Sequence, residues 1–147
     1  MNIVSPALGP ADFEHCGLPF GQRRIEPGQL QLWHLDLSGM PDTGFLEGEH
    51  SDYRARLRAR RRRREFYLRL LLAAYLDAPA HEVRIGRESG GKPFISSPEA
   101  ADPLHFNLSH AGDATLVVLS LDGPVGVDIE PAARSPRDCL AVARRYF

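Results

Sequence analysis

Apolar and polar residues alternate between positions 29 and 37 of the chain, and a helical repeat of apolar residues follows further on. Residues Gln29 to Leu37 (QLQLWHLDL) alternate with the two-residue period of a half-buried strand, with a change of phase near Trp33. A helical repeat begins at Ser51 or Asp52, either of which suits an N-cap, and continues to about Leu76. The second half of this helix has a broad apolar face, formed by Phe66, Tyr67, Leu70, Leu71, Ala74 and Tyr75. The pattern predicts a strand followed by one long helix.

The second half of the sequence predicts a series of short strands. Val83 to Arg87 form the first, and a GGKP loop follows at Gly90 to Pro93. Apolar residues alternate with polar ones from Leu104 to Ser109, which indicates a half-buried strand. Ala114 to Leu121 is a more continuously apolar strand. Asp122-Gly123 is typical of a hairpin turn, so one further strand is expected after it.

These elements indicate an α/β protein of the α+β kind, in which a small antiparallel sheet packs on one long helix. A chain of 147 residues suits one domain, or two small lobes that share a core. Residues 1–29 are rich in proline and glycine and are expected to form an extended arm, whereas residues 30–147 form the folded lobe. A last helix is expected from Pro136, with Ser135 as its cap.

Composition narrows the class of protein without identifying it. Hydrophobic residues make up 43% of the chain, and a net charge of −1 argues against a general nucleic-acid or membrane-surface binder. Two cysteines, Cys16 and Cys139, are too few for a disulfide scaffold and favour reduced thiols in a cytoplasmic protein. The longest apolar stretch, Tyr67 to Leu76, is interrupted by Arg69 and is too short to span a bilayer.

The strand expected after Gly123 carries two carboxylates on one face. On an extended chain Asp128 and Glu130 point the same way, about 7 Å apart. Because aspartate is short and glutamate is long, both could reach one cation, and Mg²⁺ is usually bound by carboxylates together with phosphate oxygens and water. On spacing alone, a solvated pair on an edge strand is the more common arrangement. A metal site is therefore one of two interpretations.

Polar residues also gather where the preceding strand ends. Asn107, Ser109 and His110 offer hydrogen-bond donors for a phosphate or a ribose. Adjacent residues on an extended strand point to opposite faces, which argues against Ser109 and His110 as a nucleophile and its base. Lys92 in the GGKP loop could meet an anionic group, but the loop lacks P-loop spacing and, taken alone, fits an exposed turn better.

Eight arginines crowd the first half of the predicted helix: Arg54, Arg56, Arg58 and Arg60 to Arg64. They surround most of the helix, so they cannot all contact one ligand. The run suggests a nucleic-acid-binding module, although the interleaved aromatic residues of a single-strand binder are missing. Two other interpretations stay open. One or two arginines could hold ligand phosphates, or the run could be a solvated helix face.

Three motifs, taken together, resemble those of a known enzyme family. GKP (Gly91 to Pro93), FNLSH (Phe106 to His110) and GVDIE (Gly126 to Glu130) occur in the order and at the separations typical of surfactin-type (Sfp-type) 4′-phosphopantetheinyl transferases. The resemblance covers about Leu30 to Phe147, and three motifs in register are more specific than any one of them. It implies that the chain is the first lobe of a two-lobed fold.

The resemblance implies that the protein moves phosphopantetheine from coenzyme A to a serine of an acyl or peptidyl carrier protein. Such reactions serve fatty acid, polyketide or nonribosomal peptide biosynthesis. Asp128 and Glu130 would act in catalysis by binding Mg²⁺ together with the pyrophosphate of coenzyme A. Ser109 and His110 would contact coenzyme A phosphates, and Lys92 would lie near the adenosine end.

In this family an arginine of the long helix commonly holds the 3′-phosphate of coenzyme A. Counting back from Lys92 favours Arg61, although the repetitive run leaves the register open by several residues. Where the family often has a second serine after the histidine, this chain has Ala111. We expect that difference to remove one hydroxyl and little else.

The second lobe of the family carries a W-x-x-K-E motif, whose glutamate completes the metal site and whose lysine contacts phosphate. Here the only tryptophan is Trp33, and the sequence ends before such a motif. We therefore expect a first lobe that binds coenzyme A weakly and is inactive alone, its second lobe lost by truncation or supplied by another chain. Self-pairing of two first lobes would still lack the Lys–Glu element.

Two hypotheses from other classes accompany this one. The first is a nucleic-acid-binding module that uses Arg54 to Arg64. The second is a non-catalytic protein that binds coenzyme A or a carrier protein without transfer.

Overall fold

The computed structural model describes residues 13–14, 16–41, 52–99 and 103–131. Its elements follow the order β1 (Gln31–Asp36), α1 (Tyr53–Leu76), β2 (Arg84–Arg87), β3 (Pro93–Ser97), β4 (His105–Ala111) and β5 (Ala114–Ser120). Residues 1–12 of the predicted arm, the helix expected from Pro136, and Cys139 lie outside the described residues.

The strands form two antiparallel sheets, and β5 is the central strand of the larger one. The larger sheet has the order β1-β5-β4, and the smaller one pairs β2 with β3. Strands β4 and β5 are joined by a two-residue turn in which Gly112 has a φ of +62°, a conformation that favours glycine. Strand β5 is paired on both sides and is buried on both faces, with Thr115, Val117 and Leu119 on one face and Val118 and Ser120 on the other, which explains its almost continuously apolar sequence. The predicted α+β fold is confirmed.

Helix α1 begins and ends at capping residues. The carboxylate of Asp52 accepts a hydrogen bond from the backbone N–H of Arg54 at 3.0 Å. At the other end Asp77 adopts a left-handed conformation, and its N–H donates to the carbonyl of Ala73. Both predicted boundaries of the helix are confirmed. Among the described residues, no helix combines the length and apolarity needed to cross a bilayer.

The core lies between α1 and the larger sheet. The helix contributes Tyr67, Leu68, Leu71 and Leu72, and the sheet contributes Leu35, Phe106, Val117 and Leu119. The predicted apolar face of α1 was therefore partly wrong, because Phe66 is exposed whereas Leu68 and Leu72 are buried. Positions 68, 71, 72 and 75 lie on one side of a helix, and that side meets the sheet.

The described part of the predicted arm packs against the same core. Phe20 is buried and meets the ring of Trp33 edge-on, with centroids 5.5 Å apart. The backbone N–H of Arg23 donates to the carbonyl of Ala74 at 2.8 Å, close to the end of α1. This stretch thus closes one side of the core.

The strand expected after Asp122-Gly123 is not formed, so that prediction was wrong. Both edges of β5 are already paired, with β1 on one side and β4 on the other, and a hairpin partner has no edge to join. Residues 125–130, called the acidic segment below, nevertheless alternate between half-buried and exposed along the chain. Strand β3, which the sequence analysis did not predict, begins at Pro93, the last residue of the GGKP loop.

A polar network links β1 to the last turn of α1. The indole Nε1 of Trp33 donates to the hydroxyl of Tyr75 at 2.7 Å, and this hydroxyl donates to the side-chain carbonyl of Gln31. The two aromatic rings meet edge-on, with centroids 6.4 Å apart. The Tyr75 hydroxyl therefore serves as acceptor and donor at a partly buried position.

Tyr75→Phe is expected to lower the free energy of unfolding by about 1–2 kcal/mol, because it leaves the partly buried indole N–H of Trp33 without its acceptor. Burial raises the pKa of Tyr75 above its ordinary value of 10.0. The stabilisation by the neutral Tyr75 hydroxyl is therefore complete below the pKa that Tyr75 has in the unfolded chain. It is lost as pH rises through the higher pKa that Tyr75 has in the folded protein. Urea unfolding at neutral and alkaline pH measures both effects. An unchanged free energy of unfolding in the variant would contradict this account.

Candidate functional site

Ser109 on β4 holds the carboxylate of the acidic segment. Its hydroxyl donates to Oδ1 of Asp128 at 2.7 Å and accepts from the backbone N–H of Ile129 at 3.3 Å. Two residues earlier on the same face of β4, the amide of Asn107 donates to the carbonyl oxygen of Val125 at 3.2 Å. Side chains of β4 thus fix the acidic segment at two points.

A cavity of about 550 Å³ lies between α1, the β2–β3 hairpin and β4. Three guanidinium groups and one imidazole belong to its lining: Arg61, Arg64, Arg87 and His110. Ser109 lines the cavity as well, so one residue joins it to Asp128. We refer to this cavity as the basic cleft.

The basic cleft has an excess of positive charge. Its lining carboxylate, Glu65, is paired with Arg69 at 2.6 Å. Within the part of the chain that the structure describes, neither Arg61 nor Arg64 forms an ion pair. Burial lowers the pKa of Arg64, and the negative charge of Asp113 acts in the opposite direction. The guanidinium Nε of Arg64 donates to the hydroxyl of Thr115 at 3.2 Å. Arg64 is half-buried, and the nearby Asp113 is already paired with Arg60, so an anionic ligand in the cleft would stabilise the Arg64 charge.

The rest of the arginine run is divided among different roles. Arg60 pairs with Asp113 at 3.3 Å, and Arg63 donates to the backbone carbonyl of Met40. Arg58 approaches Asp52 at 3.9 Å, and both side chains are well exposed. Because the fold itself uses several of these arginines, the run is not one continuous free surface, and the nucleic-acid interpretation gains no support.

Lys92 lies beside the acidic segment and is not part of the lining of the basic cleft. Its ammonium donates to the carbonyl oxygen of Val125 at 3.0 Å, the same oxygen that accepts from Asn107. Its expected place near the adenosine of coenzyme A stays a prediction.

The two predicted metal ligands, Asp128 and Glu130, are both exposed and alternate with half-buried neighbours along the acidic segment. Across residues 13–14, 16–41, 52–99 and 103–131, no group of three or more histidine, cysteine, aspartate or glutamate side chains could hold a metal ion. The donor set fits Mg²⁺ as a partial shell, because this ion takes one or two carboxylates and completes its shell with water and phosphate oxygens.

Most residues singled out from the sequence thus lie around Ser109. Arg61 and His110 share the basic cleft with it, Asp128 bonds to it, and Lys92 holds the start of the acidic segment. The sequence analysis did not single out Arg64 and Arg87. Arg64 could have been found from its spacing, since Arg61, Arg64 and buried Leu68 fall on one side of the helix. Arg87 reaches the cleft only through the pairing of β2 with β3, which the sequence did not predict.

Fold and site together define an α+β lobe in which an arginine-lined cleft adjoins a carboxylate-bearing segment. Residues 51–121 match the family model described as 4′-phosphopantetheinyl transferase, N-terminal. Over these residues the chain is similar to the N-terminal portion of the 4′-phosphopantetheinyl transferase superfamily.

Curated relatives show the same similarity. The chain is 34% identical over 80 residues to the 4′-phosphopantetheinyl transferase HetI of Nostoc sp., covering 54% of this chain and 33% of the relative. It is 46% identical over 70 residues to the 4′-phosphopantetheinyl transferase AcpT of Salmonella typhi, and the match covers 48% of this chain and 32% of the relative. It is also 35% identical over 65 residues to the L-aminoadipate-semialdehyde dehydrogenase-phosphopantetheinyl transferase of Rattus norvegicus, and the match covers 42% of this chain and 21% of the relative. The chain thus spans about a third or less of the length of these relatives.

Proposed function

We propose that the protein acts as a surfactin-type 4′-phosphopantetheinyl transferase, moving phosphopantetheine from coenzyme A to a serine of an acyl or peptidyl carrier protein. The observation that carries this proposal is the position of Ser109, which lines the basic cleft and also bonds to Asp128. A ligand with phosphates at two places, such as coenzyme A, can occupy the cleft with one phosphate and approach the carboxylates with its pyrophosphate.

The chemistry requires charge neutralisation and positioning more than covalent help. Bound Mg²⁺ would polarise the pyrophosphate and stabilise the leaving 3′,5′-ADP. Asp128 and Glu130 are the residues of this lobe that would hold it. Arg61, Arg64 and His110 would hold the remaining phosphate, and the attacking oxygen would come from the serine of the carrier protein.

The remaining parts of the proposal concern the whole protein. Residues 30–147 would form the first lobe, with residues 1–29 as an arm, and a second lobe would supply a further carboxylate and a lysine from the same or another chain. A cytoplasmic location agrees with the absence of a membrane-spanning helix among the described residues.

The proposal predicts that Arg61→Met weakens binding of coenzyme A about tenfold, because a charge-assisted contact to the 3′-phosphate is lost. Binding of 3′-dephospho-coenzyme A, which lacks that phosphate, should change little. Calorimetric titration of both ligands in the presence of Mg²⁺ measures the difference.

Arg62→Met is the matched control, because it removes the same charge one position away and Arg62 does not line the basic cleft. It should leave both affinities close to those of the wild type. Equal losses in the two variants would show that general electrostatic attraction suffices. Wild-type protein that binds neither ligand would overturn the proposal.

A further inference from the structure

Two side chains from different strands meet at a single backbone oxygen, the carbonyl of Val125. Lys92, just before β3, donates its ammonium at 3.0 Å, and Asn107 on β4 donates its amide at 3.2 Å. Both donors are half-buried. A carbonyl oxygen has two lone pairs, so these two contacts saturate it.

The Val125 carbonyl belongs to the acidic segment, and backbone pairing with a described strand does not fix the position of this segment. In the described part of the chain, residues 125–130 pair with no strand, and they make no backbone–backbone hydrogen bond to one. The next anchor along the acidic segment is Ser109, which binds the Asp128 carboxylate and the Ile129 N–H. The position of Asp128 therefore depends on side-chain contacts at both ends of a short peptide.

We propose that Lys92 and Asn107 are positioning residues that clamp the Val125 carbonyl and so fix the Asp128 carboxylate where the metal and pyrophosphate must meet. This inference rests on the proposed function, because it assigns the clamp to that same site. Lys92 acts through the backbone of the acidic segment and makes no direct contact with a phosphate. A charged donor makes the stronger of the two bonds, so the Lys92 contact contributes more to the clamp.

The clamp can be separated from direct phosphate binding by titrating coenzyme A in Mg²⁺ and again in EDTA. The ratio of the two affinities is the magnesium enhancement. Lys92→Met and Asn107→Leu remove the donors at similar side-chain size. Both variants should keep the affinity measured in EDTA within about twofold, while the magnesium enhancement falls about tenfold, as when a partner that orients a metal ligand is lost.

Arg61→Met is a control with the opposite expected behaviour. Arg61 lines the basic cleft and belongs to α1, away from the loop that carries Lys92. Its loss should lower the affinity in EDTA and leave the magnesium enhancement unchanged. If Lys92→Met behaves like Arg61→Met, Lys92 contacts the ligand directly and the clamp is overturned.

Hydrogen exchange of the ligand-free protein tests the clamp without reference to coenzyme A. Lys92→Met and Asn107→Leu should speed exchange of the backbone amides in residues 125–130, including Ile129, while amides of β5 keep their wild-type rates. Unchanged exchange in the acidic segment of both variants would overturn the clamp. Wild-type protein that fails to bind coenzyme A in either condition would overturn the proposed function, and the exchange rates would still decide whether the clamp exists.

Discussion

Asp128→Ala is expected to abolish the magnesium enhancement of coenzyme A binding while leaving the affinity measured in EDTA nearly unchanged. Asp128 is exposed, and its carboxylate is oriented by the Ser109 hydroxyl at 2.7 Å. Loss of one of two carboxylates from a partial Mg²⁺ shell removes charge that water cannot replace. Calorimetric titration of coenzyme A in Mg²⁺ and in EDTA measures the effect.

Asp128→Asn separates the charge of this residue from its hydrogen bond. The amide can still accept from Ser109 but carries no charge, so the enhancement should be lost here too. Retention of the enhancement in Asp128→Asn would mean that Asp128 only holds the acidic segment in place. An Asp128→Ala variant with wild-type enhancement would exclude the residue from the metal site.

Leu71→Ala is expected to lower the free energy of unfolding by about 2–5 kcal/mol, because it leaves a cavity between α1 and the sheet. The Leu71 side chain is 0% exposed and belongs to the central cluster of the core. Urea denaturation followed by circular dichroism gives the midpoint and the slope for both proteins.

Leu57→Ala on the same helix is the matched control. Leu57 is 45% exposed, so its truncation should change the free energy of unfolding by less than about 0.5 kcal/mol. Similar losses in the two variants would contradict the division of α1 into a buried and an exposed face.

The features that could be predicted from the sequence are those governed by local chemistry. Helix α1 has its boundaries at Asp52 and Asp77, since capping residues act on their own backbone neighbours. The strands β1 and β4 could be predicted from the alternation of apolar and polar residues, because one face of each strand meets the core. The basic cleft was predicted only in part, since the position of Arg61 was inferred by counting along a repetitive run.

The features that could not be predicted depend on how distant strands compete for partners. The turn at Asp122-Gly123 is a good local hairpin signal, yet pairing with β5 is blocked because β1, far away in sequence, occupies the edge that β4 leaves open. Arg87 reaches the basic cleft through the pairing of β2 with β3. The position of Lys92 likewise depends on a carbonyl 33 residues downstream, and no local pattern encodes such a contact.

The bond between Lys92 and Val125 bears on how the protein can be labelled. Lys92 is the only lysine in the chain. Among side chains, amine-reactive dyes, crosslinkers and sensor surfaces can therefore couple to this one alone, and that coupling would remove its contact with the acidic segment. Attachment through an engineered cysteine at an exposed position of α1, such as Arg56, would leave that contact intact.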